Sequence, residues 1–258
     1  MNSVNFGLTA QDYRRHRAGF PDSLFTRLTV YGVGINGQRV LDIGTGTGSL
    51  GRGFARRGCL VTGLDPSAEL IAQARELDAE AGVSTDYVLA RIEDSTLPAA
   101  SFDLISAGQC WHWFDRPRAA AMCAHLLRPG GLMLCTHFDW LPWPGTVVEA
   151  TEKLILEHNP DWRGHSGHGV HYKELADLTG AGFHALQSFT YDEDVLYSHA
   201  GWRGRIRASA GVAASLSPEA VHRFDTAHAA MLTTRSPAEP LRIPHRVFAL
   251  IGRMPLSS

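Results

Sequence analysis

Three groups of residues in this 258-residue chain combine types and spacings suited to chemistry. The first is Val40-Leu41-Asp42-Ile43-Gly44-Thr45-Gly46-Thr47-Gly48, an apolar run with an acid inside it, ending in glycines that alternate with threonines. Glycine admits positive φ and carries no Cβ, so a ligand can lie directly against backbone N–H groups. A second acid, Asp65, closes the apolar run Cys59 to Leu64 and is followed by Pro66. The third group is Gln109-Cys110-Trp111-His112-Trp113-Phe114-Asp115, aromatic rings around an imidazole that can accept a proton near neutral pH. His137 follows a further apolar run, and His158, His165, His168 and His171 are spread through a glycine-rich stretch.

Two nucleotide readings compete for the glycine turn. Gly46-Thr47-Gly48-Ser49-Leu50-Gly51 fits G-x-G-x-x-G, and Asp65 stands near the spacing of a ribose-binding acid, which points to a dinucleotide. A pyrophosphate sits on the helix N-terminus in such sites, and Asp42 immediately before the turn would repel it. The same carboxylate suits an ammonium group. The cofactor so described has a cationic amino-acid end and a ribose but no phosphate, and S-adenosylmethionine fits. The alternatives are an NAD(P)-dependent oxidoreductase and a cofactor-binding interaction protein of the same fold without turnover.

Certain elements must position these groups. Apolar runs at 38–43, 59–64, 87–90, 102–106, 131–136, 183–191 and 246–251 predict seven strands. Helices are expected after the glycine turn (Leu50, Phe54, Ala55), at 67–77 opened by Pro66, and at 119–127, closed by Arg128-Pro129-Gly130-Gly131. Strands alternating with helices mean an α/β fold: a seven-stranded, mostly parallel sheet with helices on both faces. Ligands bind outside the carboxyl ends of such strands, where all three groups fall. After Asp139 the alternation breaks. A helix at 147–156 and a loop at 159–171 are too long for a simple crossover, so 139–182 reads as an inserted helical cap over the active site. Further helices (201–213, 218–233) occupy 198–240, before the last strand. Helices at 9–17 and 23–30 would make an N-terminal helical lid at 1–30, the whole chain being one domain.

With these motifs in place, the chain resembles the class I S-adenosylmethionine-dependent methyltransferases of the small-molecule group, over nearly its whole length. Val40 to Gly48 is similar to the family's first motif, and Gly63-Leu64-Asp65-Pro66-Ser67 to the second, whose acid takes both ribose hydroxyls. Ile92-Glu93-Asp94, with Leu97-Pro98 and Ser101 to Leu104, resembles the adenine-binding turn and fourth strand. Arg91 departs from the acid many members carry before that turn. Tyr13 to Pro21 is similar to the N-terminal lid, where Tyr13 and Arg17 would meet the methionine carboxylate. Gly108 to Asp115 is similar to a His-Trp-Phe-Asp signature that walls the methyl-transfer site in one subgroup. The resemblance thus implies a Rossmann-like methyltransferase fold and donor contacts from Tyr13, Arg17, Asp42, Gly44, Thr45, Gly46, Gly48, Asp65, Pro66, Ile92, Glu93 and Gln109. It implies acceptor contacts from Trp111, His112 and Trp113, to which the aromatic cap adds Trp140.

Methyl transfer is an in-line displacement at a sulfonium carbon, which asks for alignment and, for some acceptors, removal of one proton. His112 is the first candidate base, His137 the second and His16 a third, although proximity alone can suffice. The acceptor atom stays open among O, N and C of a small molecule, and Trp140, Trp143 and Trp162 suggest a partly hydrophobic one. No metal is expected, because Gly164, Gly167 and Gly169 deny the loop histidines a shared helical face. Arg203 and Arg207 form either a solvated face or an anchor for an anionic acceptor. A net charge of -2 argues against nucleic acid as partner. No apolar run reaches membrane-spanning length, and Met1 to Gly7 lacks the features of a signal peptide. Four scattered cysteines without a CxxC pair suit a reducing compartment, hence the cytoplasm.

Overall fold

The apolar runs form strands where expected, and their pairing places the glycine turn at the centre of one sheet. The computed structural model describes residues 19–256, so the expected contacts from Tyr13, His16 and Arg17 lie outside the described residues. The elements in chain order are α1 (Asp22–Thr29), β1 (Arg39–Ile43), α2 (Ser49–Ala55), β2 (Leu60–Asp65), α3 (Ala68–Ala81), β3 (Asp86–Leu89) and β4 (Phe102–Gly108). They continue with α4 (Arg116–Leu126), β5 (Leu127–Trp140), α5 (Val147–His158), α6 (Lys173–Gly180), β6 (His184–Tyr197), α7 (His199–Arg207), α8 (Pro218–Arg235) and β7 (Leu241–Arg253).

The seven strands form one sheet in the order β3-β2-β1-β4-β5-β7-β6. The pairs β1–β2, β2–β3, β1–β4 and β4–β5 are parallel. The chain winds outward from β1 to β3, then crosses back to β4 on the other side of β1. That reversal leaves a crevice at the carboxyl ends of β1 and β4, the usual ligand position in such sheets. Asp42 is paired in register with Gly63 on β2 and Ser106 on β4, so it lies in the central strand with a hydroxyl beside it.

The chain divides into two compact units. In the sheet unit (19–138, 171–190 and 247–256) the core is built from Val40, Leu41, Ile43, Leu64, Leu104, Ile105, Met133 and Leu134, all buried. In the helical unit (139–170 and 191–246), α5, α7 and α8 share a core of Val148, Ile155, Trp162, Trp202, Ile206, Phe224 and Leu232. Their N-termini are capped by Thr146, Ser198 and Ser217, each accepting a backbone N–H from within the first turn. The stretch 139–182, read from sequence as one insertion, is therefore split: Asp139 to Val170 goes with the later helices, and His171 onward with the sheet.

Several boundaries differ from the sequence reading. Helix α3 starts after Ser67, whose side chain accepts the Leu70 N–H, so Ser67 and not Pro66 opens it. Helix α6 has no counterpart in the sequence reading. Its N-cap, Tyr172, is already in the right-handed helical region and makes no side-chain cap bond, so no start signal announces it. His137 lies inside β5, which is longer at both ends than its apolar run. Pairing shifts from Phe102 opposite Leu127 to Leu104 opposite Leu132, so Arg128 to Gly131 bulges out within the strand.

Candidate functional site

The donor cradle is built at the end of β1. Gly46 has φ +55°, and a Cβ added there would meet nothing within 4 Å, so the turn offers open backbone for a ligand to approach. Asp65, at the end of β2, accepts the Gly46 N–H at 2.8 Å through Oδ2 and the Ser67 N–H at 2.9 Å through Oδ1. A carboxylate has about four acceptor positions, so two remain for ribose hydroxyls. Burial pushes the Asp65 carboxyl up from its ordinary value, and the two backbone N–H groups offset this in part. Asp65 and the open glycine backbone thus fit a nucleoside.

Asp42 plays another part than expected. Its Oδ2 accepts the Thr45 hydroxyl at 2.6 Å and the Gly51 N–H at 3.2 Å, and its Oδ1 accepts the Ser106 hydroxyl at 2.7 Å. Both oxygens are bonded inside the protein, where they pin the glycine turn and the first turn of α2 to β4. Asp42 is 1% exposed, so it supports the turn from within rather than presenting a free carboxylate to an ammonium group. Burial raises its pKa to about 6, against the pull of those three hydrogen bonds. Thr45 is the partner that ties the turn to this acid.

Ile92 and Glu93 occupy a 3₁₀ turn after β3. Ile92 is buried, and Glu93 is buried with its Oε1 accepting the Asp115 N–H at 2.9 Å and facing Arg91 at 3.3 Å. Glu93 therefore fastens the adenine-type turn to the aromatic run. Gln109 directly follows β4 with φ +56°, an uncommon conformation for this residue type, and its amide donates to the Phe138 carbonyl at 2.6 Å. It braces β4 against β5.

The aromatic run sits directly on the glycine turn. A Cβ at Gly44 would come within 3.0 Å of Cys110 and Phe114, and the Cys110 thiol donates to the Ile43 carbonyl at 3.2 Å. Within the run the side chains diverge. Trp111 is 1% exposed, and its indole N–H donates to Asp177 on α6 at 2.9 Å, so it is a core residue rather than an acceptor contact. His112 and Trp113 are exposed, with ring centroids 4.8 Å apart. His137, by contrast, is 2% exposed, and its Nε2 meets Glu174 Oε1 at 2.7 Å. That burial bars His137 from solvent and favours His112 as the imidazole an acceptor would reach.

In the helical unit, Trp140 donates its indole N–H to Glu152 at 2.8 Å and lies under the Arg205 guanidinium at 4.8 Å. Arg203 and Arg207 are both paired with Asp225, an ion-paired structural cluster instead of an anion anchor. Within the helical unit the described loop histidines have separate partners. His158 packs on Phe224, His165 on Trp162, and the His168 carbonyl accepts from Arg246. His171, in the sheet unit, stacks on His137. Glu174, Asp177 and Ser106 escaped the sequence reading. Ser106 carries no signal beyond its place at the end of the strand 102–106, and the two acids ride on the helix that has no start signal.

A doubly wound sheet, a glycine turn open to a ligand and an acid at the end of β2 define a nucleoside-dependent enzyme. Residues 41–135 match the family model for a methyltransferase domain. The chain is 32% identical over 199 residues to the ubiquinone biosynthesis O-methyltransferase of Xylella fastidiosa, covering 74% of this chain and 78% of that one. It is 39% identical over 190 residues to the enzyme of the same name from Methylocella silvestris, covering 66% and 73%. A solved structure of a candidate type II methyltransferase from Anaeromyxobacter dehalogenans superposes with a TM-score of 0.62 at 24% identity, over 93% of this chain and 99% of that one. The chain belongs to the class I S-adenosylmethionine-dependent methyltransferases. It is an enzyme that takes its methyl group from S-adenosylmethionine and passes it to a small molecule, which displaces the oxidoreductase reading. No helix among the described residues is long and apolar enough to cross a membrane.

Proposed function

We propose that this methyltransferase acts on a hydroxyl oxygen of an aromatic small molecule, with His112 as the group that takes the hydroxyl proton. The observation that carries the reading is the seat of the aromatic run on the glycine turn, through Gly44, Cys110 and Ile43, with His112 and Trp113 exposed beside it. S-adenosylmethionine supplies a methyl carbon already activated by its sulfonium. A hydroxyl is a weak nucleophile until it loses its proton, whereas a free amine needs no such help, so an exposed imidazole near the donor turn suits an oxygen acceptor. Trp113 offers a flat apolar face against which an aromatic ring can stack. The names of the Xylella and Methylocella relatives, both O-methyltransferases of ubiquinone biosynthesis, support the same choice.

The test is turnover with S-adenosylmethionine against matched phenols, catechols and aryl amines, with H112A alongside. Methylation of the hydroxyl compounds, and a kcat about 100-fold lower in H112A with unchanged S-adenosylhomocysteine affinity, is the expected outcome. Methylation of the amines alone, or an unchanged kcat in H112A, overturns the proposal.

A further inference from the structure

We infer that His137, His171 and Glu174 form a binding site for a divalent first-row transition-metal ion such as Zn²⁺. One ligand atom from each lies within 4.8 Å of the other two, and all three residues belong to the sheet unit. His137 comes from β5, Glu174 from the first turn of α6, and His171 from the segment just ahead of that helix. The imidazoles stack with centroids 3.5 Å apart, and Phe248 lies 5.5 Å from the His171 ring. Two imidazoles and a carboxyl group are the N,N,O set that zinc and its neighbours favour.

An independent observation points to a missing cationic partner. Glu174 is 4% exposed; its Oε1 is bonded to His137, while its Oε2 is buried without a hydrogen-bond partner. Among the described residues no arginine or lysine pairs with it. Asp177, one turn further along α6, differs: Trp111 and Arg116 both satisfy it. A buried carboxylate with an idle oxygen costs stability, and a cation bridging Glu174 to both imidazoles removes that cost. Ligands at about 2.1 Å from one ion stand about 3.0–3.4 Å apart. Binding therefore stretches the 2.7 Å contact between His137 and Glu174 slightly and fans the stacked rings. His171, half-buried on a loop, is the side chain that can swing to do so. Three protein ligands leave a tetrahedral ion one further coordination position. The His112 ring lies 6.3 Å from His137, so such an ion would border the exposed imidazole.

The site does not depend on the identity of the acceptor. Metal-stripped protein titrated calorimetrically with Zn²⁺ is expected to bind one equivalent, and Co²⁺ to give a visible d–d band of low coordination number. H171A and E174Q should each weaken Zn²⁺ binding by about 100-fold or more, with H165A as the unaffected control. S-adenosylhomocysteine titration of H171A should match wild type, which shows that the variant is folded and keeps metal loss separate from any failure of the methyltransferase reading. Absence of stoichiometric binding, or equal Zn²⁺ affinity in wild type, H171A and E174Q, overturns the inference.

Discussion

Replacing Asp42 with Asn tests whether the acid before the glycine turn is an internal brace carried at a cost. Asn keeps the shape: its oxygen can still accept from Thr45 and the Gly51 N–H, and its NH₂ can donate to a rotated Ser106 hydroxyl. Only the titration is lost. In the folded protein Asp42 has its pKa raised from 3.8 to about 6 by burial, so between pH 4 and 6 the unfolded chain has released a proton that the folded one still holds. Unfolding then releases a proton, and stability falls as pH rises, by about 1.4 kcal/mol per pH unit and about 3 kcal/mol in all. Above pH 6 the penalty is constant; below pH 4 it is absent. D42N should therefore gain on wild type by up to about 3 kcal/mol between pH 4 and 7, roughly 6–12 °C in Tm for a chain of this size. Denaturant or thermal unfolding of both proteins at four pH values measures it. A wild-type-to-variant gap that is flat across that range, or that closes as pH rises, refutes the reasoning.

Two further outcomes are expected. In D65N, loss of the charged ribose acceptor should weaken S-adenosylhomocysteine binding by about 10- to 100-fold by calorimetry, because hydrogen bonds to charged groups contribute about 1.5–3 kcal/mol. In the helical unit, His228 and His245 are buried, and desolvation lowers each pKa to about 4. Here the unfolded chain binds the extra proton, so their stabilising contribution is present above pH 6.5 and is lost as pH falls to 4, by about 3 kcal/mol for each histidine. H228Q should flatten that acid limb in unfolding monitored by tryptophan fluorescence; an unchanged limb would refute the assignment.

Local spacing carried much of this protein. An apolar strand, a glycine turn and an acid after the next strand are joined by short stretches of chain, so Gly44 to Gly48 and Asp65 could be read as a nucleoside cradle without coordinates. The parallel sheet followed from strands alternating with helices, because such strands must be buried on both faces. Direction and partnership within that frame were decided by tertiary structure. Asp42 looked like a ligand for an ammonium group until strand register put Ser106 beside it and turned both oxygens inward. Trp111, His112 and Trp113 are adjacent in sequence, yet one is core and two are exposed, because a 3₁₀ turn swings the first indole onto Asp177. His137 stands more than thirty residues before His171 and Glu174, which lie just ahead of and on a helix the sequence did not announce. No periodicity links such residues: their meeting is fixed only when α6 packs beside β5, and burial then makes each one's partner a matter of energy.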